Sequence, residues 1–391
     1  MVDRNDSRPS SERVFAVRGA LVIEKKLTPG ALVVEDGRIA AIHRGTIRDD
    51  ELPSSIIEAD IVSPGLIDLQ VNGGFGYEVG ANPTAIDRLS AALATTGVTA
   101  YLPTFITAPA DVYPGVFAAF ERVDHRAGAI PLGLHLEGPF IAPARKGAHQ
   151  LRSIEAADDA LFGSWLAVES IRLVTLAPER IGALDRIWRL VERGIVVSLG
   201  HTDSTFEQFI TGVDAGANMA THLFNAMTPI HHRAPGPMVA AMTDQRVTAG
   251  LIPDGVHSHV ATVQLALNAM GPDRIAIVTD MMAAAGLGPG TYALGGQRVT
   301  VDEQSARLDD GTLAGSIVTM DQAVRNIVAW TDVGIATALH MCTAVPGRVL
   351  GLATKGHFYL GADADLTLFD LHLQVQHTIV SGRFVYSEGD E

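Results

Sequence analysis

The sequence predicts an α/β fold, a (β/α)8 TIM-like barrel joined to a small β-sandwich domain that is built from both chain termini. Three observations support this prediction. Strand-like and helix-like segments alternate through the middle of the chain, polar residues stand where buried strands end, and both ends of the chain are rich in short β-type runs. Alternating β and α segments are typical of a parallel sheet, and eight such units favour a closed barrel over an open sheet.

Eight strand candidates lie within residues 63–345, the range that we assign to the barrel. The candidates are residues 66–71, 100–103, 132–137, 172–176, 196–201, 219–222, 249–252 and 275–280. Helix-like stretches between them have apolar residues at helical spacing and a glycine near the end; examples are residues 85–97, 183–194 and 259–271. No G-x-G-x-x-G follows the first strand, so a dinucleotide-binding fold has no support.

The β-type runs at the two ends predict a second, smaller domain. Residues 1–62 and 346–391 are assigned to it, and residues 1–12 are expected to be disordered. The stretch EDGRIAAI predicts a hairpin with Asp36-Gly37 at the turn, because Asp-Gly suits the centre of a two-residue turn. Residues 356–389 alternate apolar and polar positions, and Gly361 and Gly382 separate the strand-like runs. Two similar ends around a different middle favour one β domain assembled from both.

Composition and charge exclude several classes of function. The 391 residues carry a formal net charge of −15 without a basic cluster, so nucleic acid is not an expected partner. No apolar run approaches the length of a membrane span. The single cysteine, Cys342, permits no intrachain disulfide and fits a reducing compartment. The start of the chain is polar and lacks a secretory signal, so the expected location is the cytoplasm.

Four polar residues at the ends of apolar runs are the candidate active-site residues. Glu137 ends LGLHLE, His201 ends VVSLGH, His222 ends NMATH and Asp280 ends IAIVTD. The carboxyl ends of the strands meet at one face of a (β/α)8 barrel, where its active site is built. Two imidazoles and one carboxylate can hold a tetrahedral zinc and leave one position for water. Glu137, His201 and His222 are therefore the predicted metal ligands.

Each of these residues also has a simpler interpretation. A glutamate or histidine at a strand end is more often a solvated, capping or hydrogen-bonded core residue, and Asp280 by itself reads best as a helix N-cap. Two histidines on successive strand units, with a glutamate upstream, favour the metal instead. Beside an activated water, Asp280 can accept the proton released by attack and return it to the leaving group.

Together the motifs resemble the amidohydrolase superfamily and, within it, the N-acetylglucosamine-6-phosphate deacetylases. The matching stretches, in family order, are PGLIDLQVNGG, GLHLEGPF, KGAH, LGHTDS, ATHLFNAM, HHRAPG, PDGVH, VTDMMAAAG and GTLAGS. They cover most of residues 60–325, and their combination is specific. The resemblance implies metal-dependent hydrolysis of N-acetyl-D-glucosamine 6-phosphate to D-glucosamine 6-phosphate and acetate, in amino-sugar metabolism.

The resemblance also implies roles for individual residues. Asp280 would be the general base and then the acid, and His149 would polarise the acetyl carbonyl. Arg233 and His257 would bind the phosphate, for which the planar donor fork of arginine is well suited. The protein would be a homodimer with His257 near the neighbouring subunit's site. Further contacts with the sugar would come from Ala148, Asn225, Ala226, Leu313, Ala314 and Gly315.

The end of the first barrel strand departs from the pattern of many amidohydrolases, which carry His-x-His there. Here the positions are Gln70 and Asn72, and neutral amides are poor zinc ligands beside imidazole and carboxylate. We therefore predict one divalent metal per chain, zinc first, with iron, cobalt or manganese as alternatives. Gln70 and Asn72 are expected to hydrogen-bond to water or to the ligating groups.

Other functions stay open at this point. N-acetylgalactosamine 6-phosphate is an alternative substrate, because selectivity at C4 can rest on one or two contacts. Another amidohydrolase reaction, such as that of a cyclic amidase, commonly needs His-x-His and a modified lysine, whereas Lys146 lies past the Glu137 turn rather than in a strand. A non-catalytic barrel is disfavoured by the presence of Glu137, His201, His222 and Asp280 together.

Overall fold

The computed structural model describes residues 14–80 and 82–389, so the disorder expected for residues 1–12 lies outside the described residues. The strands, in chain order, are β1 Val14–Ile23, β2 Lys26–Glu35, β3 Arg38–Arg44, β4 Ile56–Pro64, β5 Leu66–Val71, β6 Gly73–Gly74, β7 Tyr77–Glu78, β8 Val98–Ile106, β9 Ile130–Pro131, β10 Leu134–Glu137, β11 Ile171–Leu176, β12 Val196–Leu199, β13 Met219–Ala220, β14 Thr248–Leu251, β15 Ile275–Ile277, β16 Gly290–Leu294, β17 Gln297–Val301, β18 Ala306–Leu308, β19 Leu366–Phe369, β20 Val375–Val380 and β21 Arg383–Ser387.

The α-helices lie mainly between the barrel strands. They are α1 Pro83–Ala94, α2 Tyr113–Phe120, α3 Leu151–Ala156, α4 Asp159–Trp165, α5 Ala183–Glu192, α6 Phe206–Asp214, α7 Gly236–Thr243, α8 Val260–Met270, α9 Met320–Trp330, α10 Ile335–Met341 and α11 Ala344–Val349. No helix in the described part of the chain is long and apolar enough to cross a membrane.

Parallel strands form the barrel in the order β5, β8, β10, β11, β12, β13, β14 and β15, and the short β9 pairs with β8. The ring closes where Val71, at the end of β5, bridges Met281, which follows β15. The N–H of Asn72 donates to the Met281 carbonyl at 2.9 Å. Each of the eight strand candidates corresponds to a barrel strand, so the predicted (β/α)8 barrel is confirmed.

Local sequence signals fix where the helices begin. The Asn82 side chain accepts a hydrogen bond from the Thr84 N–H at the start of α1, where Pro83 occupies the first turn. Thr205 and Gln208 cap α6 reciprocally through their side chains and backbone N–H groups. Because α6 begins directly after the cap at Thr205, the loop between β12 and α6 is only a few residues long. This loop carries His201.

The second domain is a seven-stranded sheet in the order β21, β20, β19, β4, β1, β2 and β3. β4 runs parallel to β1 and antiparallel to β19, so it joins the strands from the two ends of the chain. One face of this sheet has its own apolar cluster, which includes Val17, Leu32 and Leu366. Asp36 and Gly37 both have positive φ between β2 and β3, as a tight hairpin requires. The predicted β domain from both termini is thus confirmed, with its strands joined in one continuous sheet.

A three-stranded antiparallel sheet follows the last barrel strand and was not predicted from the sequence. We call this sheet, residues 290–308, the insert; it consists of β16, β17 and β18. Its apolar side chains pack on Ile106 and Met282 of the barrel. The signal was present in TYALGGQRVTV, where apolar and polar residues alternate around Gly295-Gly296, both with positive φ. The insert is therefore a β-hairpin with one additional strand that packs against the barrel.

The hairpin tip of the insert is hydrogen-bonded to the loop that carries His149. The side chain of Gln150 donates to the Gly295 carbonyl at 2.6 Å, and the Gln297 side chain donates to the Ala148 carbonyl. The Gly295 N–H donates to Glu78 Oε1 at 2.6 Å. The residues on both sides of His149 are thus tied to the insert.

Candidate active site

Glu137, His201 and His222 come together at the C-terminal face of the barrel. Glu137 is the last residue of β10, whereas His201 and His222 lie two residues beyond the ends of β12 and β13. The two histidines have φ values of 47° and 29°, in a region that non-glycine residues rarely occupy. Such backbone strain persists when the surrounding structure imposes it, and it concentrates at functional sites.

The donor atoms of these three residues converge on one point. His222 Nε2 lies 3.0 Å from Glu137 Oε1 and 3.1 Å from His201 Nε2. His201 Nε2 lies 3.3 Å from the same glutamate oxygen. Ligands bound at about 2.0–2.1 Å to a tetrahedral zinc are separated from one another by about 3.3 Å. The three side chains, all buried, therefore fit a single metal ion.

Protonation of the ligands also suits a metal. His201 Nδ1 lies 2.8 Å from the Arg145 carbonyl oxygen, which can only accept. Nδ1 therefore carries a proton, so Nε2 is the nitrogen that can offer a lone pair to a metal at the common centre. Burial by itself would raise the pKa of Glu137, but protonated His201 and His222, through hydrogen bonds and positive charge, hold that pKa well below its usual range. The carboxylate is thus ionised, as a ligand must be.

We call Glu137, His201 and His222 together the metal group. Asp280 lies beside this group, at a φ of 50° in the segment that follows β15. Its Oδ1 accepts hydrogen bonds from Asn72 Nδ2 at 2.6 Å and from Gln70 Nε2 at 3.0 Å. The same Gln70 nitrogen donates to Glu137 Oε1 at 2.9 Å. Burial, followed by the charge of Glu137, raises the pKa of Asp280 to about 6. Because the amide nitrogens of Gln70 and Asn72 both donate to Oδ1, Oδ2 is the carboxylate oxygen that stays available for proton transfer.

His149 borders the metal group on another side. Its Nε2 lies 3.8 Å from Glu137 Oε2, and its ring contacts that of His201 at a centroid distance of 4.4 Å. Burial, followed by the charge of His201, lowers the pKa of His149 to about 3. The imidazole is therefore neutral near pH 7, with one nitrogen that donates and one that accepts.

The metal group, Asp280 and His149 line one cavity of about 420 Å³. This volume suits a small molecule. Most of the residues predicted to bind substrate also line it, namely Ala148, Asn225, Ala226, His257, Leu313 and Gly315. Leu294 of the insert contributes to the wall as well, so the insert covers part of the cavity.

Two residues lie elsewhere than the sequence suggested. Ala314 is fully buried in the apolar cluster beneath the insert, so it supports the turn while its neighbours face the cavity. Arg233 is exposed, with its Nη1 2.8 Å from His232 Nε2, and is not among the cavity-lining residues. His257 lines the cavity of its own chain and has Nδ1 2.6 Å from Asp254 Oδ2, and its position near a neighbouring subunit's site stays a prediction.

Two arginines that line the cavity were missed. Arg145 pairs with Asp203 at 2.8 Å, and Arg307 donates from Nη1 to the Gly311 carbonyl at 2.9 Å. Arg145 directly precedes KGAH and Arg307 shortly precedes GTLAGS. Both arginines could have been identified from the sequence because each lies next to a motif that was already assigned to the site. They give the cavity positive charge in a chain that is acidic as a whole.

Comparison with known proteins agrees with this geometry. The amidohydrolase family model matches residues 61–386. The chain is 37% identical to N-acetylgalactosamine-6-phosphate deacetylase of Escherichia coli O157:H7, over 95% of this chain and 98% of that protein. It is 40% identical to N-acetylglucosamine-6-phosphate deacetylase of Homo sapiens, over 95% of this chain and 90% of the human one.

A solved structure shares both the fold and the sequence similarity. It is a mutant of N-acetyl-D-glucosamine-6-phosphate deacetylase from Mycobacterium smegmatis in complex with N-acetyl-D-glucosamine-6-phosphate. The two structures have a TM-score of 0.90 and 34% sequence identity, and the match covers 96% of this chain and 100% of that chain. The chain is therefore a hydrolase of the amidohydrolase family and belongs, within that family, to the amino-sugar-phosphate deacetylases.

Proposed function

We propose that this chain hydrolyses the N-acetyl group of N-acetyl-D-glucosamine 6-phosphate, giving D-glucosamine 6-phosphate and acetate. One observation carries the proposal: Glu137, His201, His222, Asp280 and His149 face a single cavity. A metal group, a proton carrier and a neutral imidazole are the parts that amide hydrolysis needs. The relatives named for this reaction at up to 40% identity supply the substrate class.

We infer one divalent metal per chain, held by Glu137, His201 and His222, with zinc first and iron, cobalt or manganese as alternatives. When bound, such an ion supplies Lewis acidity, which makes water a nucleophile near neutral pH and polarises an acyl carbonyl. Gln70 and Asn72 turn their amide nitrogens toward Glu137 and Asp280. Each amide is thus used to orient a carboxylate, and a neutral amide is a poor zinc ligand beside imidazole and carboxylate, which supports a single ion.

Proton transfer is assigned to Asp280. Oδ2 takes the proton of the attacking water and then delivers it to the nitrogen as the C–N bond breaks, so the amine leaves in neutral form. Gln70 and Asn72 keep the carboxylate in place through Oδ1 during both transfers. Burial raises the pKa of Asp280 above its usual range, which suits a group that must act as base and then as acid. His149 donates to the carbonyl oxygen as negative charge develops on it.

The phosphate is assigned to His257 and Arg233, with Arg233 supplied by the second chain of a homodimer. His257 lines the cavity, whereas Arg233 of the same chain is exposed and lies outside it. Binding at the phosphate would orient the acetyl group for attack.

Mixed dimers test the origin of Arg233. We expect Arg233→Ala and Asp280→Asn homodimers each to be poorly active at low substrate concentration. When the two variants are mixed and allowed to exchange chains, about a quarter or more of wild-type kcat/KM should return, because one site then combines Asp280 with the partner's arginine. No recovery in verified mixed dimers would place Arg233 in the site of its own chain. A monomeric mass in solution would exclude the dimer itself.

Acetate release tests the reaction and the substrate class. With zinc added, the chain should release acetate from N-acetyl-D-glucosamine 6-phosphate and act at least about 100-fold more slowly on the sugar without phosphate, since a lost charge-assisted contact costs about 3 kcal/mol. Wild-type protein with bound metal that releases no acetate would contradict the proposal.

The C4 epimer is the second candidate substrate. The relative from Escherichia coli O157:H7, named for N-acetylgalactosamine 6-phosphate, is 37% identical, close to the 40% of the human glucosamine relative. Comparing kcat/KM for the two sugar phosphates in the same assay distinguishes the candidates. A cytoplasmic location, expected from the sequence, stays a prediction.

A further inference from the structure

We propose that Thr107 is a positioning residue that fixes the tautomer of His149, placing the imidazole proton on Nε2, where it faces the acyl carbonyl. This inference rests on the function proposed above and extends it to a residue that no motif singled out. Thr107 directly follows β8, and it is almost fully buried, with 1% of its surface exposed.

The backbone N–H and the side-chain hydroxyl of Thr107 both contact the same nitrogen of His149. The Thr107 N–H donates to His149 Nδ1 at 3.4 Å, and Thr107 Oγ1 lies 2.7 Å from that nitrogen. A backbone N–H can only donate, so Nδ1 must offer its lone pair. In a neutral imidazole the proton then resides on Nε2. The opposite tautomer would bring two hydrogens against each other at Nδ1.

Orientation of the ring follows from the same contacts. The Thr107 hydroxyl has one hydrogen, and it goes to Nδ1 at 2.7 Å rather than to the more distant Glu137 carbonyl oxygen at 3.4 Å. The ring is thereby held to the end of β8. Threonine is stiff at χ1 because it is branched at Cβ. The Nε2–H therefore points into the cavity from a fixed ring, where it can donate to an oxyanion as it forms. With the lone pair on Nε2 instead, the same ring would repel that charge.

Substitutions at position 107 test the consequence for turnover. Thr107→Val keeps the shape and the backbone N–H but removes the hydroxyl, and we expect kcat to fall about 10- to 100-fold with KM changed less than about twofold. Thr107→Ser keeps the hydroxyl and should retain most of the activity. Equal kcat values for wild type and Thr107→Val, measured with the metal-loaded enzyme, would overturn the inference.

A double-mutant cycle separates positioning from a general structural effect. In a His149→Asn background, Thr107→Val should have no further effect on kcat, because the group through which Thr107 acts is already absent. If the two losses multiply instead, Thr107 acts independently of His149 and the inference fails. Thermal unfolding of all four proteins verifies that each is folded.

The tautomer itself can be observed without turnover. In the zinc-loaded enzyme, ¹⁵N–¹H correlation spectra of the histidine side chains should show Nε2 of His149 protonated and Nδ1 bare, the signals being assigned by their loss in His149→Asn. A protonated Nδ1 would refute the inference. This measurement also separates the two proposals: wild type that shows this tautomer but releases no acetate would contradict the function alone.

Discussion

Replacing Asp280 with asparagine is expected to lower kcat by about 100- to 10,000-fold, the range that general acid–base catalysis contributes. Asparagine has nearly the same shape and can still interact with Gln70 and Asn72, but it cannot take the proton of the attacking water at the position of Oδ2. Substrate affinity should change little, because the phosphate and the sugar are bound by other residues. Acetate release gives kcat, and calorimetric titration with intact substrate gives the affinity.

The matched control is Asp309→Asn, which removes an exposed carboxylate on the turn after the insert. This control should behave as wild type in turnover and in thermal unfolding. Near wild-type turnover of Asp280→Asn would disprove the role of Asp280. Loss of binding together with turnover would instead point to a role in holding substrate.

Removing the metal is expected to abolish acetate release and to lower the thermal stability. The buried carboxylate of Glu137 and the imidazoles of His201 and His222 are within 3.3 Å of one another, and an ion neutralises charge that is otherwise desolvated there. At free metal a thousandfold above its dissociation constant, binding stabilises the fold by about 4 kcal/mol. Dialysis against a chelator, followed by calorimetry and by zinc add-back, measures both effects.

Metal content provides the second part of this prediction. Carefully purified protein should contain one tightly bound equivalent per chain, and two would refute the single-metal site. His222→Ala should lose the ion and the activity, whereas the exposed His125→Ala should lose neither. A His222→Ala protein that still binds a full equivalent would show that the ligand set is wrong.

The barrel and the candidate metal ligands could be predicted from the sequence because their signals are local. Each strand is an apolar run of a few residues, and each ligand is the polar residue that ends such a run. The short connections of a (β/α)8 barrel then bring Glu137, His201 and His222 to one face. No knowledge of the packing between distant parts of the chain is needed to identify them.

Other contacts depend on closure of the ring and could not be predicted from local patterns. Gln70 lies in the first barrel strand and Asn72 directly follows it, yet both hold Asp280 after the last strand, 210 and 208 residues away. Their hydrogen bonds exist only because β5 and the segment after β15 are neighbours. Thr107 is a similar case, since its interaction with His149 depends on how a long loop returns to the barrel.

The role of the insert was hidden for a different reason. Its hairpin pattern was visible in the sequence, but the surface on which the hairpin packs was not. The same limitation concerns Ala314, whose burial depends on that packing, and Arg233, which is exposed and does not line the cavity of its own chain.

The bonds between the insert and the loop of His149 have a consequence for substitutions far from the candidate metal ligands. Gln150 and Gln297 tie the insert to both sides of His149, while Thr107 contacts the ring from the end of β8. The imidazole is thus held between the insert and the barrel. A substitution at the hairpin tip that breaks these bonds would disturb the position of His149 without changing any residue of the candidate metal site.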